Sequence, residues 1–369
     1  MKKILALLIV LTTLLTLVSC DDGYPAVKSS AVEKQVVMTL DFDGQKYDIK
    51  YELYRALFLT LKGSVDGGDA SVWTGEDKEK YVNLIDGIVK SRISEIYSVF
   101  YIAKKIGIDV YSSEYDKYVK DFIKVSVEGG YAGTTEVTGF DGDYDKYLEH
   151  LKNSFLNYSV QDLIIRYSLA TEEIFRYYAG NIDSEEFVEN VENGHLEYTR
   201  DDVLAFYNSG DCVRVIRAFL PKKYFTKERA EQIQKTILEK ADIGEDAVSA
   251  YIISNTTTGA SDVKNGEIIA KHNLDRQYYA ELIDTAFALE TFGVSDVIDI
   301  TTGGDDGYVI IYRTVKGSEH FEACYDQIKG VYVQNEVGKI IDTAAASISE
   351  NLKNTDILNN IDRSTITMD

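Results

Sequence analysis

Between Gln45 and Tyr207 apolar residues return every three or four positions, the spacing of one helix face, and at Cys212 that rhythm gives way to strands and Gly-rich turns. A chain that changes period once, after a long helical stretch, cannot fold as a single bundle or a single sheet. The clearest helix carries Tyr81, Leu84, Ile85, Ile88, Ile96, Val99, Phe100, Ala103 and Ile106, with Gly107 placed to stop it. Ser112 or Ser113 then caps a helix holding Tyr115, Tyr118, Val119 and Phe122. Beyond the Gly-rich stretch Gly129 to Gly142, helical patterns run from about Asp143 to Asn157 and from Ser159 to Ala179. Thr199-Arg200-Asp201-Asp202 opens another through Val203, Phe206 and Tyr207. Ahead of all of them, the alternation of Val37, Thr39 and Asp41 predicts a short strand, Asp43-Gly44 a hairpin turn, and Tyr54, Leu57, Phe58 and Leu61 a helix.

From Cys212 the sequence CVRVIRAFL reads as a strand ended by Pro221. Thr226 caps a helix with Ala230, Ile233, Ile237 and Ala241 on one face. A short helix at Val248 to Ile253, a loop from Asn255 to Gly266, a helix from Ala280 to Leu289 and a strand from Gly307 to Arg313 follow. A long helix from Glu319 towards Ser349 carries Phe321, Cys324, Ile328, Val337, Ile340 and Ile341, and Ile357 to Ile361 is placed to close the fold. The expected class is mostly α with a small α+β insert. The division is a helical part at 35–207, an α+β part at 208–316 and a C-terminal helix at 317–369 that completes the first.

The first twenty residues are of a different kind. Lys2-Lys3 precede an apolar run from Ile4 to Val18, shorter than the roughly 20 residues a comfortable membrane span needs. The run ends at Leu17-Val18-Ser19-Cys20, which resembles the bacterial lipobox. On that reading 1–19 is a signal peptide and Cys20 becomes a lipidated N-terminus; an ordinary secretory signal and a retained membrane helix are the alternatives. Residues 20–34, polar and turn-rich around Pro25, read as a flexible tether. Composition bears on partners: 39 Lys+Arg against 61 Asp+Glu give a formal charge of −22, a field that repels phosphate backbones and disfavours both nucleic acid and loose docking onto anionic lipid. Cys212 and Cys324, outside any CxxC, read as two thiols, with a disulfide as the alternative.

Three stretches carry a family resemblance: YTRDDVLAFYN at 198–208, CVRVIRAFL at 212–220, and ELIDTAFALETFGVSDVI at 281–298 leading to GYVIIYR at 307–313. Together with the order of elements, they make the chain resemble the PrsA/SurA group of extracytoplasmic foldases, in which a parvulin-type prolyl isomerase domain interrupts a helical chaperone domain. The resemblance implies binding of unfolded or newly exported polypeptides at a bacterial envelope, lipid anchorage to the outer face of the cytoplasmic membrane through Cys20, and no cofactor. It also implies a proline pocket beside a polar network of two histidines with a Cys or Asp. Those polar positions fall here on Arg217, Val309 and, within a residue or two, Thr256, and none of His150, His195, His272 and His320 aligns with them. The pocket keeps Phe287, walled by Tyr278, Tyr279 and Leu282. The expected domain is therefore a degenerate parvulin, weak or inactive as an isomerase. Arg217 is then either a solvated strand residue or the partner of an acidic neighbour.

Other chemistries find little footing. Asp141-Gly-Asp143-Tyr-Asp145 resembles a calcium loop but has Lys146 where glycine is needed and Lys152 where a bidentate Glu belongs, so helix capping is the better reading. The histidines never fall at HxxxH or HExxH spacing, and GxSxG, P-loop and GxGxxG patterns are missing from the sequence. Two rivals to a holding chaperone stay open: an active isomerase using Tyr278, Thr256 or Arg217, and a lipoprotein whose 27 tyrosines stack on a small ligand or glycan.

Overall fold

Asp43 at φ 49° and Gly44 at φ 73° give the paired left-handed conformations of a tight hairpin turn. They fold β1 (Val36–Phe42), the strand that the alternation predicts, onto β2 (Gln45–Lys50), which lies in the stretch expected to be mostly helical. This computed structural model describes residues 24–66, 70–73, 75–132, 135–180, 194–272, 276–300 and 306–368, and the fold is mostly α with an α+β insert. After the hairpin come α1 (Tyr51–Asp66) and the long α2 (Lys78–Lys105), whose buried face holds Ile85, Val89, Ile93, Ile96 and Val99. Lys104 and Lys105 complement the C-terminal end of the α2 dipole, and Gly107 at φ 89° leaves the helix. The Ser112 hydroxyl accepts the Tyr115 N–H at 3.4 Å to start α3 (Ser113–Glu128). A small hairpin, β3 (Gly130–Ala132) with β4 (Thr135–Val137), occupies the Gly-rich stretch. Asp143 accepts the Lys146 N–H at 3.1 Å and caps α4 (Tyr144–Asn153), the role expected of that acid; α5 (Tyr158–Ala179) follows.

The α+β part begins with α6 (Arg200–Asn208), opened by a capping box between Thr199 and Asp202. It continues through β5 (Cys212–Pro221), α7 (Lys227–Ala241), α8 (Glu245–Asn255), α9 (Ala260–Asn265), β6 (Glu267–Ala270), α10 (Arg276–Ala288), β7 (Ile298–Ile300) and β8 (Gly307–Thr314). The sheet order is β6-β5-β8-β7, antiparallel throughout. Both faces are covered, which is why β5 and β8 read as near-continuous apolar runs. Ile216, Ala218, Leu220, Ile310 and Tyr312 pack against Ile233, Ile237, Val248 and Ile252 of α7 and α8. Val213, Val215, Val309 and Ile311 pack against Leu282, Ile283 and Ala286 of α10. The loop expected at 255–266 contains α9, which shows a single buried residue, Val263, and so no periodicity to read. The helix expected from Glu319 is two, α11 (Ser318–Ala323) and α12 (Tyr325–Asn351), interrupted at Cys324. Phe321, Cys324, Ile328 and Val331 still face one cluster, so the pattern crosses the break unchanged.

The described residues form two compact units, one of 175–340 and one of 24–174 with 341–368. In the second, β9 (Leu352–Asn354) joins β1 as a third strand, Leu40 opposite Leu352, and α13 (Asp356–Asn360) follows. Buried Arg363 then donates from Nη2 to Asp86 at 2.9 Å, from Nε to the Tyr54 hydroxyl at 3.2 Å, and from Nη1 to the carbonyls of Leu358 and Ile361. Burial, and then the hydrogen bond to Asp86, push the Tyr54 hydroxyl far above its ordinary pKa, so it stays a neutral donor and acceptor. Arg363→Met leaves the Asp86 carboxylate without its cation. It is expected to cost about 3–5 kcal/mol of unfolding free energy, read from urea denaturation of the 24–174/341–368 unit.

Residues 24–34, the described part of the stretch read from composition as a tether, make specific contacts with this same unit. Glu33 receives Arg55 Nη2 at 2.6 Å, the Ser30 N–H at 2.6 Å and Asn157 Nδ2 at 3.1 Å, while buried Glu52 accepts from Ser29, Asn157 and Ser159. Burial alone would raise the Glu33 carboxyl, but the Ser30 N–H, Asn157, the Ser30 hydroxyl and Arg55 together hold it at about 2, against an ordinary 4.5. With its folded pKa below the unfolded one, Glu33 contributes stability that is complete above 4.5 and is lost as the pH falls towards about 2. That contribution is at most about 3 kcal/mol. Glu33→Gln is expected to flatten this acid limb and lower the neutral-pH stability, a comparison that urea titrations across the window supply.

Candidate functional site

Alternation along β5 and β8 decides which side chains share the α10 face of the sheet. Arg217 stands opposite Ile311, and Phe219 opposite Val309, so Arg217, Phe219, Val309 and Ile311 project to one side. Val309 and Leu282 are buried in one apolar cluster there, with Phe219, Phe287 and Leu289 packed against it and partly open. The structure thus brings together Arg217, Val309, Leu282 and Phe287 of the residues picked from the sequence. Thr256 is elsewhere: its hydroxyl returns to the Ile252 carbonyl at 2.9 Å, closing the end of α8. Its two successors reach the strand instead. Thr258 Oγ1 accepts the Phe219 N–H at 2.9 Å, and the Thr257 hydroxyl donates to the Phe219 carbonyl at 2.9 Å. They satisfy the β5 edge beyond the point where β6 stops, at the Val215–Glu267 pair. Tyr278 and Tyr279 belong to α10, but their side chains lie outside the described residues, as does Cys20.

Arg217 is not solvated alone. Its Nε lies 3.2 Å from Glu267 Oε2, both side chains about one-fifth exposed. Glu267 faces the same side because it pairs with Val215, two residues before Arg217. The guanidinium fork keeps Nη donors that engage no further group among the described residues. Reading the sequence alone missed Glu267, since β6 is four residues long, follows a glycine and shows no alternation, its burial pattern being one half-buried residue and then three buried ones. A second arginine on this face, Arg313, donates to the carbonyls of Phe287 and Leu289 and holds the C-terminal end of α10. Phe292, at φ 71° and half exposed, donates its N–H to the Arg313 carbonyl at 2.7 Å at the rim of the sheet.

No histidine has been found on this face among the described residues. His320 takes a hydrogen bond from the Tyr207 hydroxyl at 2.9 Å on Nδ1 and contacts the Asn265 carbonyl through Nε2. Burial, and then the Arg214 charge, lower its pKa. His195 stacks on Tyr177, His150 lies against Phe140, and the His272 backbone donates to Asn335. Cys212 and Cys324 are both thiols rather than a disulfide, and burial pushes the Cys212 thiol up to about 11, which keeps it protonated and unreactive at neutral pH. Among the described residues no three His, Cys, Asp or Glu side chains are grouped to hold a metal ion.

The face has a definite chemistry. It offers an apolar wall and an arginine fork, with a carboxylate already committed to that fork. The fork can donate to a peptide carbonyl. Amide resonance places negative charge on that oxygen in the planar form, so such a bond favours the planar amide over the twisted one. A donor placed in this way has no preference for the twisted amide.

No protein-family model matches this chain, and no curated protein matches it. Among solved structures, foldase protein PrsA from Streptococcus pneumoniae str. Canada MDR_19A is 16% identical with a TM-score of 0.30, over 70% of this chain and 81% of that one. PrsA from Bacillus subtilis is 16% identical with a TM-score of 0.23, over 74% of this chain and 87% of that one.

Packing around Phe219 offers a direct check. A Cβ on Gly307 would sit 2.5 Å from Phe219 Cε2 and 3.0 Å from the Leu220 carbonyl, so the ring must leave its place. Gly307→Ala is expected to destabilise the α+β unit by about 1–3 kcal/mol and to shift the Phe219 ring resonances, both measurable by NMR-detected unfolding.

Proposed function

We propose that this protein is an extracytoplasmic chaperone of the foldase type, anchored through lipid on Cys20 to the outer face of a bacterial cytoplasmic membrane. It holds unfolded or newly exported polypeptides, and its α+β unit is weak or inactive as a prolyl isomerase. The observation that carries the reading is the Arg217–Glu267 pair beside the half-open Phe219, Phe287 and Leu289. An ion pair and an apolar wall suit retention of an extended chain. The polar network that the parvulin resemblance implies would fall on Arg217, buried Val309 and, within a residue or two, Thr256. The acidic balance of the chain, 61 Asp+Glu against 39 Lys+Arg, further disfavours self-association and suits basic clients.

The test uses soluble protein starting after Cys20. Suppression of aggregation of a chemically unfolded client, read by light scattering, is expected, together with exchange of an X-Pro peptide at the uncatalysed rate by exchange NMR. Phe287→Ala is expected to weaken the suppression while leaving the exchange rate at background. Catalysed exchange that disappears in Phe287→Ala, with the unit still folded, makes the protein an isomerase instead. Saturable binding of one small ligand class with no effect on aggregation overturns the chaperone reading.

A further inference from the structure

The contacts of Tyr24 and Pro25 fix where the chain leaves the helical unit. The Tyr24 ring stacks on Tyr144 at 4.8 Å between centroids, and its hydroxyl lies 3.3 Å from the Gly142 carbonyl and 3.4 Å from Glu128 Oε1. Tyr144 in turn donates to the Pro25 carbonyl at 2.7 Å. Tyr144 and Phe140 each lie against Tyr147, so the aromatic row continues from Tyr24 through Tyr144 and Tyr147 to Phe140. Further along, the Glu33 and Glu52 network secures the same segment to α1 and to the start of α5. The chain is thus tied down from Tyr24 onward. Three residues separate Tyr24 from Cys20, and fully extended they span at most about 14 Å.

We propose that residues 140–147 and the 24–34 segment form a membrane-facing surface whose partner is the phospholipid headgroup layer. The proposal rests on the lipid-anchor reading of Cys20 and adds an orientation to it. A lipidated Cys20 lies at the bilayer surface, so Tyr24, Gly142 and Tyr144 are held within the reach of that short leash. What the segment exposes fits an interface: Val27 and Val32 are 46% and 58% exposed, Lys28 and Lys34 are open, and tyrosines favour the headgroup level. The same region carries exposed Glu128, Asp141, Asp145 and Glu149, and Asp143 is paired with Lys146. With both signs present, the surface does not bind anionic lipid strongly by itself. The lipid supplies the affinity, and the docked segment supplies the orientation.

The experiment places a fluorophore at exposed Asp145 (D145C) in the full, lipidated chain. The protein is reconstituted in phosphatidylcholine vesicles containing a minority of phosphatidylglycerol and a headgroup-level quencher. Strong quenching is expected, with a several-fold loss in Tyr24→Ala/Tyr144→Ala and in a variant with a Gly-Ser stretch inserted between Asp22 and Tyr24. The insertion leaves every docking contact intact, so its effect does not depend on the fold of the double variant. Quenching absent from the parent, or unchanged by the insertion, overturns the proposal. Mass spectrometry of the N-terminal peptide separates the two layers: an unmodified Cys20 overturns the anchor reading and this one with it, whereas a lipidated chain without quenching overturns this one alone.

Discussion

Burial of one arginine near the chain's end governs the helical unit. The strand pairing that completes it joins residues far apart: the Thr355 hydroxyl bonds the Val36 carbonyl across 319 positions. Closing so long a loop costs about 5 kcal/mol in chain entropy, more than three short-strand pairings return. Burial of Ile348, Leu352, Leu358 and Ile366 works against that cost, and Arg363 fixes the segment's place, because each of its nitrogens meets an acceptor: Asp86, the Tyr54 oxygen, and two carbonyls just upstream. The clasp ties the last described residues to α1 and α2, the first long helices of the chain. That is what allows residues 175–340 to sit inside the sequence of another unit without leaving its two halves apart.

The same accounting explains the inserted sheet. Its central strands are covered on both faces, so a charged residue in β5 needs a partner of its own. Arg214, on the α7–α8 side, finds Glu245 at 3.0 Å and the carbonyls of Asn265 and Val315. Arg217, on the α10 side, has Glu267 as its partner among the described residues and stays partly open to solvent. Two arginines three positions apart therefore differ in kind. One has its charge and donors met by a carboxylate and backbone carbonyls, and the other is paired by a single carboxylate at a partly open position.

Much of this was legible from the sequence, for identifiable reasons. Elements with a strong period and a clear cap, such as α2 with Gly107, α3 with Ser112, α6 with Thr199 and α7 with Thr226, are found where the pattern puts them. So are β1, β5 and β8. What escaped was short or dependent on distant pairing. β9 is three residues whose strand state exists only because β1 lies beside it, and β6 is four residues held by β5. The break at Cys324 left no trace because both helices serve one cluster. At the candidate site the same limit applies. Arg217 was visible as an oddity in an apolar strand, but its partner Glu267 lies fifty residues further on, in a strand that periodicity could not reveal.

A prolyl isomerase and a holding chaperone make opposite demands on such a site. Catalysis requires groups that bind the twisted amide better than the planar one, whereas retention requires only contacts that both forms share. Arg217 beside Phe219 and Phe287 supplies shared contacts. Its charge is permanent, so its protonation cannot follow the rotation of a peptide bond. The proposed role in retention rather than turnover therefore rests on contacts that do not distinguish the two forms of the amide.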